Sequence, residues 1–572
     1  MQTHALIGWN DLRADDLTTV AKMRDVAGRL PIETVLYVVS ALNLMLGAVR
    51  GPVAATKRDQ QIGLAQDLLP RSLVDQVIAR LTSGAIDVIF HSEQLLLAAR
   101  IAIEFGQPGA FQPVDREVVG ELLLRTNDCL MSRPGRTRDD FVAMVLRQLG
   151  AFSHEQERYL LPRYHDLLVT RARSGTQPHA LDNAFEAFTD GLSIDSFLAL
   201  GLAYAGLFAS IQRPPDLAGF DRVVQEIEAR LIQSSEATKV RALLTAEPSW
   251  YRRSPIPSTS LPEMAGVDLA DFFERPFVRL SNGSALPISM RLTLERLSSG
   301  LYWSAFTARR GYDTGVVDLN AYLGEVFQAY ITDAAVSAYG KGGRYLAIPE
   351  TEVQGAGGHI SCPDLLLLDG TRLVSVETTV TSLKMATQVA GDVKEFRREL
   401  RSGKFKRKLM QPVEGAANLL MGRLKHGRLA PERITDVYPV LVTLWPFPQF
   451  VATRVEVDAV YAAPSDLVTK TGSRIWVHPL QFLSAEEVEM LEPGWEMGAG
   501  LSDALADKGV GDPKHITSMK NYLFAHVARE HENHRMAALF TNLGEQSRPI
   551  LGKFFGEGES PPDDGASKPD PS

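Results

Sequence analysis

The stretch that decides the fold of the second half reads YLAIPETEV (Tyr345–Val353) and, after a glycine-rich break, CPDLLLLDGTRLVSVETTV (Cys362–Val380). Two runs of β-forming residues flank the dipeptide Asp369-Gly370. Asp-Gly between such runs is typical of a two-residue hairpin turn. The sequence therefore predicts a hairpin at this place.

The predicted turn determines which side chains meet across the hairpin. With the turn at the Asp-Gly dipeptide, Leu368 pairs with Thr371 and Asp364 faces Ser375. Because alternate residues of a strand share a face, Asp364 and Glu377 then project from one side as diagonal neighbours, about 7–8 Å apart at the backbone. Two carboxylates at that separation can bind one divalent cation.

The surrounding pattern suggests a family. Asp364 follows a proline, Glu377 lies in the second strand, and the upstream helical stretch LGEVFQAYI contains Glu325. This arrangement resembles the PD-(D/E)xK nuclease-like superfamily over about Gly311 to Pro493. The resemblance implies the order helix, three strands, helix, strand. It departs at Thr379, which stands where the family has a lysine.

The resemblance implies roles for individual residues. Asp364 and Glu377 would bind Mg²⁺ (or Mn²⁺), and Glu325 would help to orient a ligand or water. Because a threonine cannot supply the charge of the missing lysine, two alternatives remain. Either a lysine from a nearby segment replaces it, with Lys408 favoured over Lys384, or cleavage has been lost.

The charge distribution indicates a local nucleic-acid surface. The net charge of −9 argues against general nucleic-acid binding, but 394–433 contains 12 Lys or Arg and four Glu. A basic patch on an acidic protein indicates a binding surface for a negatively charged partner. The alternative is that these charges form an ordinary solvent-exposed helix face. The predicted backbone contacts are Lys394, Arg397, Arg398, Arg401, Lys404, Lys406, Arg407 and Gln411.

Composition indicates a globular chain of about three or four domains. Hydrophobic residues make up 45% and charged residues 23%, and two cysteines, Cys129 and Cys362, fit a reducing cytoplasm. The start of the chain lacks the layout of a signal peptide. The apolar runs Thr34–Val49 and Phe197–Ile211 are shorter than the roughly 18–20 residues of a spanning helix. We therefore expect a cytoplasmic protein without membrane contact.

The spacing of apolar residues and the positions of proline-rich segments predict a multidomain chain. Apolar residues at helical spacing continue to about residue 245, and a Pro- and Ser-rich segment follows. The predicted units are an all-α half (1–247), a linker with a lead-in hairpin and helix (248–310), an α/β restriction-endonuclease-like core of order α-β-β-β-α-β (311–493), a helical extension (494–555) and a disordered acidic tail (556–572).

The sequence supports two functional hypotheses. The first is a Mg-dependent nuclease that cleaves nucleic acid, with DNA favoured, as a bacterial antiviral-defence or DNA-processing effector. Its helical half would bind a protein partner or trigger. The alternative is a catalytically inactive, nuclease-like subunit that binds nucleic acid or acts as a scaffold in a larger complex. Both are fold-level analogies.

Overall fold

The structure is a computed structural model. It describes residues 5–47, 53–83, 87–112, 115–132, 137–140, 142–143, 146, 157–209, 217–231, 234–257, 259–267, 269–304, 319–339, 345–355, 360–381, 383, 387, 391–461, 475–508, 518–526 and 532–555. The predicted tail (556–572) and the candidate Lys384 lie outside the described residues.

Helices dominate the first half, as predicted from the apolar periodicity. They are α1 (Trp9–Leu12), α2 (Val20–Gly28), α3 (Ile32–Gly47), α4 (Val53–Leu68), α5 (Arg71–Thr82), α6 (Ser92–Phe105), α7 (Arg116–Met131), α8 (Glu157–His165, continued by a π-helical turn at Asp166–Arg171 and by Ala172–Ser174), α9 (Ala180–Phe188), α10 (Ile194–Ala209), α11 (Leu217–Leu231) and α12 (Ser235–Leu244).

The first half is not purely helical, which corrects the prediction of an all-α unit. Strand β1 (Ala5–Leu6) pairs in parallel with β2 (Asp87–Val88), and β3 (Thr245–Ala246) follows α12. Each of these strands is only two residues long, too short to show the alternation that identifies a strand in a sequence.

The two apolar runs of the first half form α3 and α10, and most of their described residues are buried. Among the described helices, we find no helix with the length and apolar character needed to cross a membrane.

The segment predicted as a linker with a lead-in hairpin and helix (248–310) contains secondary structure from its first residues onward. It forms α13 (Pro248–Tyr251), α14 (Leu261–Ala265), α15 (Ala270–Glu274), β4 (Phe277–Arg279), β5 (Ala285–Pro287) and α16 (Met290–Leu297). The antiparallel β4–β5 pair confirms the hairpin predicted here, and β3 of the first half pairs with β4. Tyr251 is fully buried, and its hydroxyl donates to the carbonyls of Arg275 and Phe277. These bonds hold the segment together, and the β3–β4 pairing joins it to the first half.

The second half is built on a mixed sheet. Its strands are β6 (Tyr345–Pro349), β7 (Leu365–Asp369), β8 (Arg372–Thr379), β9 (Asp436–Thr443), β10 (Trp476–Val477) and β11 (Gln481–Ser484). Strand order is β10-β9-β8-β7-β6, and β11 also pairs with β9. β6, β7 and β8 are antiparallel, whereas β8 and β9 are parallel.

Helices precede, interrupt and follow this sheet. They are α17 (Leu319–Tyr339), α18 (Val393–Arg401), α19 (Gly403–Leu420), α20 (Val451–Asp458), α21 (Ala485–Glu496), α22 (Leu501–Lys508), α23 (Met519–His526) and α24 (His534–Phe555). The succession α17, three strands, α18 with α19, then β9 follows the predicted order of elements. Membership of the core in the nuclease-like family remains a prediction.

The hairpin register differs from the prediction by one residue in each strand. Asp369 pairs with Arg372, so the two turn residues are Gly370 and Thr371. Gly370 has φ +60°, the left-handed conformation that glycine accommodates. The carboxylate of Asp369 is held by the hydroxyl of Ser502 on α22 at 2.6 Å, which keeps this residue in the strand.

The two halves share one hydrophobic core. A continuous cluster of buried side chains runs from Ile7 in the first half to Leu543 in α24. A buried ion pair also joins them: Arg163 on α8 donates through two nitrogens to Glu489 on α21, each at 2.6 Å. The hydroxyl of Tyr330 on α17 donates to the same carboxylate at 2.6 Å. The predicted boundaries remain predictions, but the units pack as one body in the described parts.

We expect the Arg163→Met variant to lose about 3 kcal/mol of unfolding free energy, because Glu489 would stay buried without its paired cation. Thermal or denaturant unfolding measures the loss. The double variant Arg163→Met/Glu489→Met should recover most of it, since no uncompensated charge remains. An equal loss in both variants would contradict this electrostatic explanation.

Candidate functional site

Three carboxylates gather at one edge of the hairpin, where β6 ends, β7 begins and β8 approaches its end. The observed register places Leu365 opposite Val376, and its extension by one residue sets Asp364 directly opposite Glu377. The predicted pair therefore does share a face, but as direct rather than diagonal neighbours. Glu377 is fully buried and Asp364 is 7% exposed.

The third acid, Glu350, was not predicted from the sequence. It follows β6 directly, and its N–H donates to the carbonyl of Asp364 at 3.0 Å. That backbone bond continues the β6–β7 pairing by one step beyond the strands, and so brings Glu350 beside the other two acids. The amide of Gln328 on α17 donates to the Glu350 carboxylate at 3.2 Å. Because pairing across the long connection from β6 to Asp364 leaves no local signal, the sequence does not reveal this proximity.

Asp364 is held in place by its own sheet. Its Oδ2 accepts the N–H of Thr378 at 2.7 Å and the hydroxyl of Thr378 at 2.6 Å. These two bonds fix the direction of the carboxylate beside Glu377. A metal site needs ligands whose direction is fixed in this way before the metal binds.

Helix α19 brings a lysine to the acids. The hydroxyl of Ser375 on β8 donates to the carbonyl of Pro412, 2.6 Å away, and ties the helix to the strand. Gly415 lies against Pro363, where a Cβ would come within 2.4 Å of the proline ring. Only glycine permits this close approach, so the sequence of α19 is matched to the loop that precedes Asp364.

The lysine is Lys408, whose ammonium donates to Oε1 of Glu377. Of the two lysines considered as replacements for the motif residue, this is the one favoured from the sequence. Thr379, at the motif position, is buried, and its hydroxyl accepts the N–H of Thr381 at 3.0 Å. The threonine hydroxyl is therefore engaged by its own loop.

The remaining candidates lie in different surroundings. Glu325 is exposed on α17 and accepts a hydrogen bond from the Thr176 hydroxyl at 3.4 Å. The structure thus brings Gln328, one turn later on the same helix, to the acids in the place predicted for Glu325. Gln411, one turn after Lys408, has a buried side-chain oxygen that lacks a hydrogen-bond partner among the described residues.

The surroundings of the three acids disfavour their ionised forms. Burial raises the pKa of Glu377 to about 8, the charge of Asp364 adds to the rise, and Lys408 opposes it. Burial also raises the pKa of Asp364 and of Glu350. Three carboxyl groups whose ionised forms are all disfavoured gain from a positive charge placed among them.

These shifts predict a pH-dependent stability. Glu377 binds its proton more tightly in the folded chain than in the unfolded chain, where the pKa is near 4.5. The contribution of Glu377 to the free energy of unfolding therefore falls as pH rises from about 5 to about 8. In metal-free buffer, we expect Glu377→Gln to remove this part of the slope and to stabilise the fold by about 2 kcal/mol near neutral pH.

Unfolding of wild type and variant across that pH range, with a chelator present, measures the effect. Glu325→Gln is the matched control, because this acid is exposed on a helix of the same core. A Glu377→Gln variant that is less stable than wild type at the alkaline end would contradict the prediction.

The predicted nucleic-acid residues lie on α18 and on the first half of α19. Six of them are exposed: Lys394, Arg398, Arg401, Lys404, Lys406 and Arg407. A shallow depression of about 480 Å³ is lined by Lys394, Arg397, Arg398, Arg401 and Ser402. Since α19 also carries the lysine that reaches the acids, one helix connects this basic surface to the acidic cluster.

Two of the carboxylates present are donors of the type that a hard divalent cation binds. Oε2 of Glu377 is buried and has no hydrogen-bond partner among the described residues, and carboxylate oxygens are ligands that Mg²⁺ prefers. The described ranges contain no group of three or more His, Cys, Asp or Glu side chains placed to hold a metal. Asp364 and Glu377 would therefore supply two ligands, and water and substrate the others, as is usual for Mg²⁺.

Comparisons with family models, with curated proteins and with solved structures find no match to this chain.

Proposed function

We propose that the chain is a metal-dependent nuclease that cleaves phosphodiester bonds of nucleic acid, with DNA as the favoured substrate. The observation that supports this most directly is the contact of the Lys408 ammonium with Glu377, beside Asp364. Two acids and a lysine on adjoining elements are the groups that the resemblance requires, although the lysine comes from a helix.

Each group has a role in the proposed reaction. A Mg²⁺ or Mn²⁺ ion held by Asp364 and Glu377 would lower the pKa of a bound water and offset charge on the scissile phosphate. Lys408 stabilises the negative charge that develops on the phosphate oxygens. Glu350, half-buried and bonded to Gln328, would accept the proton of the attacking water.

The basic surface of α18 and α19 binds the nucleic-acid backbone in this proposal. Contacts from lysine and arginine to phosphates give affinity without reading sequence, so we expect little sequence preference from this surface. The large helical half would receive a protein partner or trigger, as in a bacterial defence or DNA-processing effector.

A second candidate is the inactive, nucleic-acid-binding protein. Oδ2 of Asp364 already accepts two hydrogen bonds from Thr378, and Glu377 already has a cationic partner in Lys408. Both carboxylates are thus partly satisfied without a metal, which is what a site that had lost catalysis would require.

The purified full-length chain, incubated with labelled single-stranded and duplex DNA and RNA, distinguishes the two candidates. We expect cleavage with Mg²⁺ or Mn²⁺ that co-elutes with the chain and stops in a chelator. Binding of the same probes without cleavage under either metal would favour the inactive protein. Failure to bind or cleave any probe would overturn both.

A further inference from the structure

Arg397 on α18 holds two acids with the two edges of one guanidinium group. One edge faces Glu456 on α20: Nε lies 3.0 Å from Oε2 and Nη2 lies 2.9 Å from Oε1. The other edge faces Asp139: Nη1 lies 2.9 Å from Oδ2 and Nη2 lies 2.6 Å from Oδ1. Glu456 therefore binds the guanidinium group from the side of the core, and Asp139 binds it from the side of the first half.

The two acids differ in origin and in exposure. Glu456 belongs to the core and its side chain is only 7% exposed, whereas that of Asp139 is 52% exposed. Asp139 comes from a short described segment of the first half. The pKa of its carboxyl lies below the ordinary value because Arg397 donates to it and because Arg138 and Lys394 add positive charge.

Asp139 occupies the edge of Arg397 that could otherwise bind a phosphate. Arg397 and Lys394 line the basic depression on α18, and an arginine fork binds carboxylate and phosphate with the same bidentate geometry. Exposed ion pairs of this kind contribute little to stability. Arg138 of the same segment also donates to Glu456, at 3.1 Å, and that contact would be lost with the segment. The two bonds from Arg397 to Glu456 do not involve the segment, so they would keep the guanidinium oriented while another anion replaces Asp139.

We propose that Asp139 is an internal stand-in for a backbone phosphate, so that nucleic acid must displace the 137–140 segment to occupy the fork of Arg397. The first half thereby competes with substrate for the basic surface of the core. This inference rests on the proposed function. It adds a way in which a partner bound to the first half would regulate access of substrate.

Fluorescence anisotropy with a short labelled DNA, in a chelator so that cleavage cannot occur, tests the proposal. We expect Asp139→Ala to bind about tenfold more tightly at low salt. The slope of log affinity against log salt should steepen by about one, because one more phosphate is contacted. The control, Glu414→Ala, removes the same charge from an exposed position on α19 and should show neither change.

The double variant Arg397→Ala/Asp139→Ala separates the stand-in from a general charge effect. We expect the gain in affinity to vanish, because the fork is absent. A gain that persists without Arg397, an Asp139→Ala variant that binds no more tightly than wild type, or a control that gains as much would each overturn the inference. Loss of cleavage alone would bear on the proposed nuclease and leave this binding result standing.

Discussion

Asp364→Ala is expected to lose metal-dependent cleavage by roughly a thousandfold, equivalent to about 4 kcal/mol in the activation barrier. The variant removes one of the two carboxylates proposed to hold the metal. It also leaves the N–H and hydroxyl of Thr378 without the acceptor that they share in the structure. Initial rates of cleavage of labelled DNA, measured with Mg²⁺ and with Mn²⁺, give the size of the loss.

Asp364→Asn separates the charge from the hydrogen bonds. An asparagine oxygen can still accept from Thr378, so this variant should fold as wild type does and yet be as inactive as the alanine variant. Glu352→Gln is the control, since this exposed acid lies two residues after Glu350. Cleavage at the wild-type rate by Asp364→Asn would exclude a charged metal ligand at this position.

Local signals predicted the elements of the core well. The apolar runs on either side of Asp369-Gly370 form β7 and β8, and the upstream stretch LGEVFQAYI lies in α17. The exact turn was misplaced because either residue of an Asp-Gly dipeptide can begin a two-residue turn. The interaction that decides between them, from Ser502 to Asp369, comes from a distant helix. The two acids still share a face, since both strands shifted together.

The site was predictable where it depended on neighbouring strands and unpredictable where it depended on distant contacts. Asp364 and Glu377 share a face because of strand periodicity and the two-residue length of the turn between their strands. Glu350 and Gln328 reach them through a long loop and through helix packing, for which a single sequence has no local signal. The ion pair between Arg397 and Asp139 of the first half joins residues far apart in the chain. Charge counting therefore placed this arginine among the nucleic-acid contacts without revealing its partner within the protein.

The first half gave little functional information because its polar residues also bond to partners that are distant in the chain. Its apolar periodicity predicted helices, but its polar residues are used in packing them. Arg125, for example, is almost fully buried and bonds to Asp16 and Glu121. Such buried pairs fix the arrangement of helices, and their sequence pattern does not differ from that of a solvated helix face.

Lys408→Met is expected to reduce cleavage by about 10²- to 10³-fold, because the site would lose the cation that stabilises charge on the phosphate. The effect should appear in the rate at saturating DNA rather than in DNA affinity. Lys406→Met is the matched control, since this exposed lysine lies on the same helix. It should weaken binding slightly and leave the saturated rate unchanged. Equal, affinity-only effects in both variants would mean that Lys408 contacts the backbone alone.

The position of the lysine can be tested by moving it. The double variant Lys408→Met/Thr379→Lys returns a lysine to the strand position that the family motif uses, on the face that bears Glu377. If the ammonium matters for its charge near the acids, the double variant should recover part of the cleavage lost in Lys408→Met. Because Thr379 is buried, unfolding must be measured alongside the rate. A stable, DNA-binding double variant without recovered cleavage would show that the charge must be presented from α19.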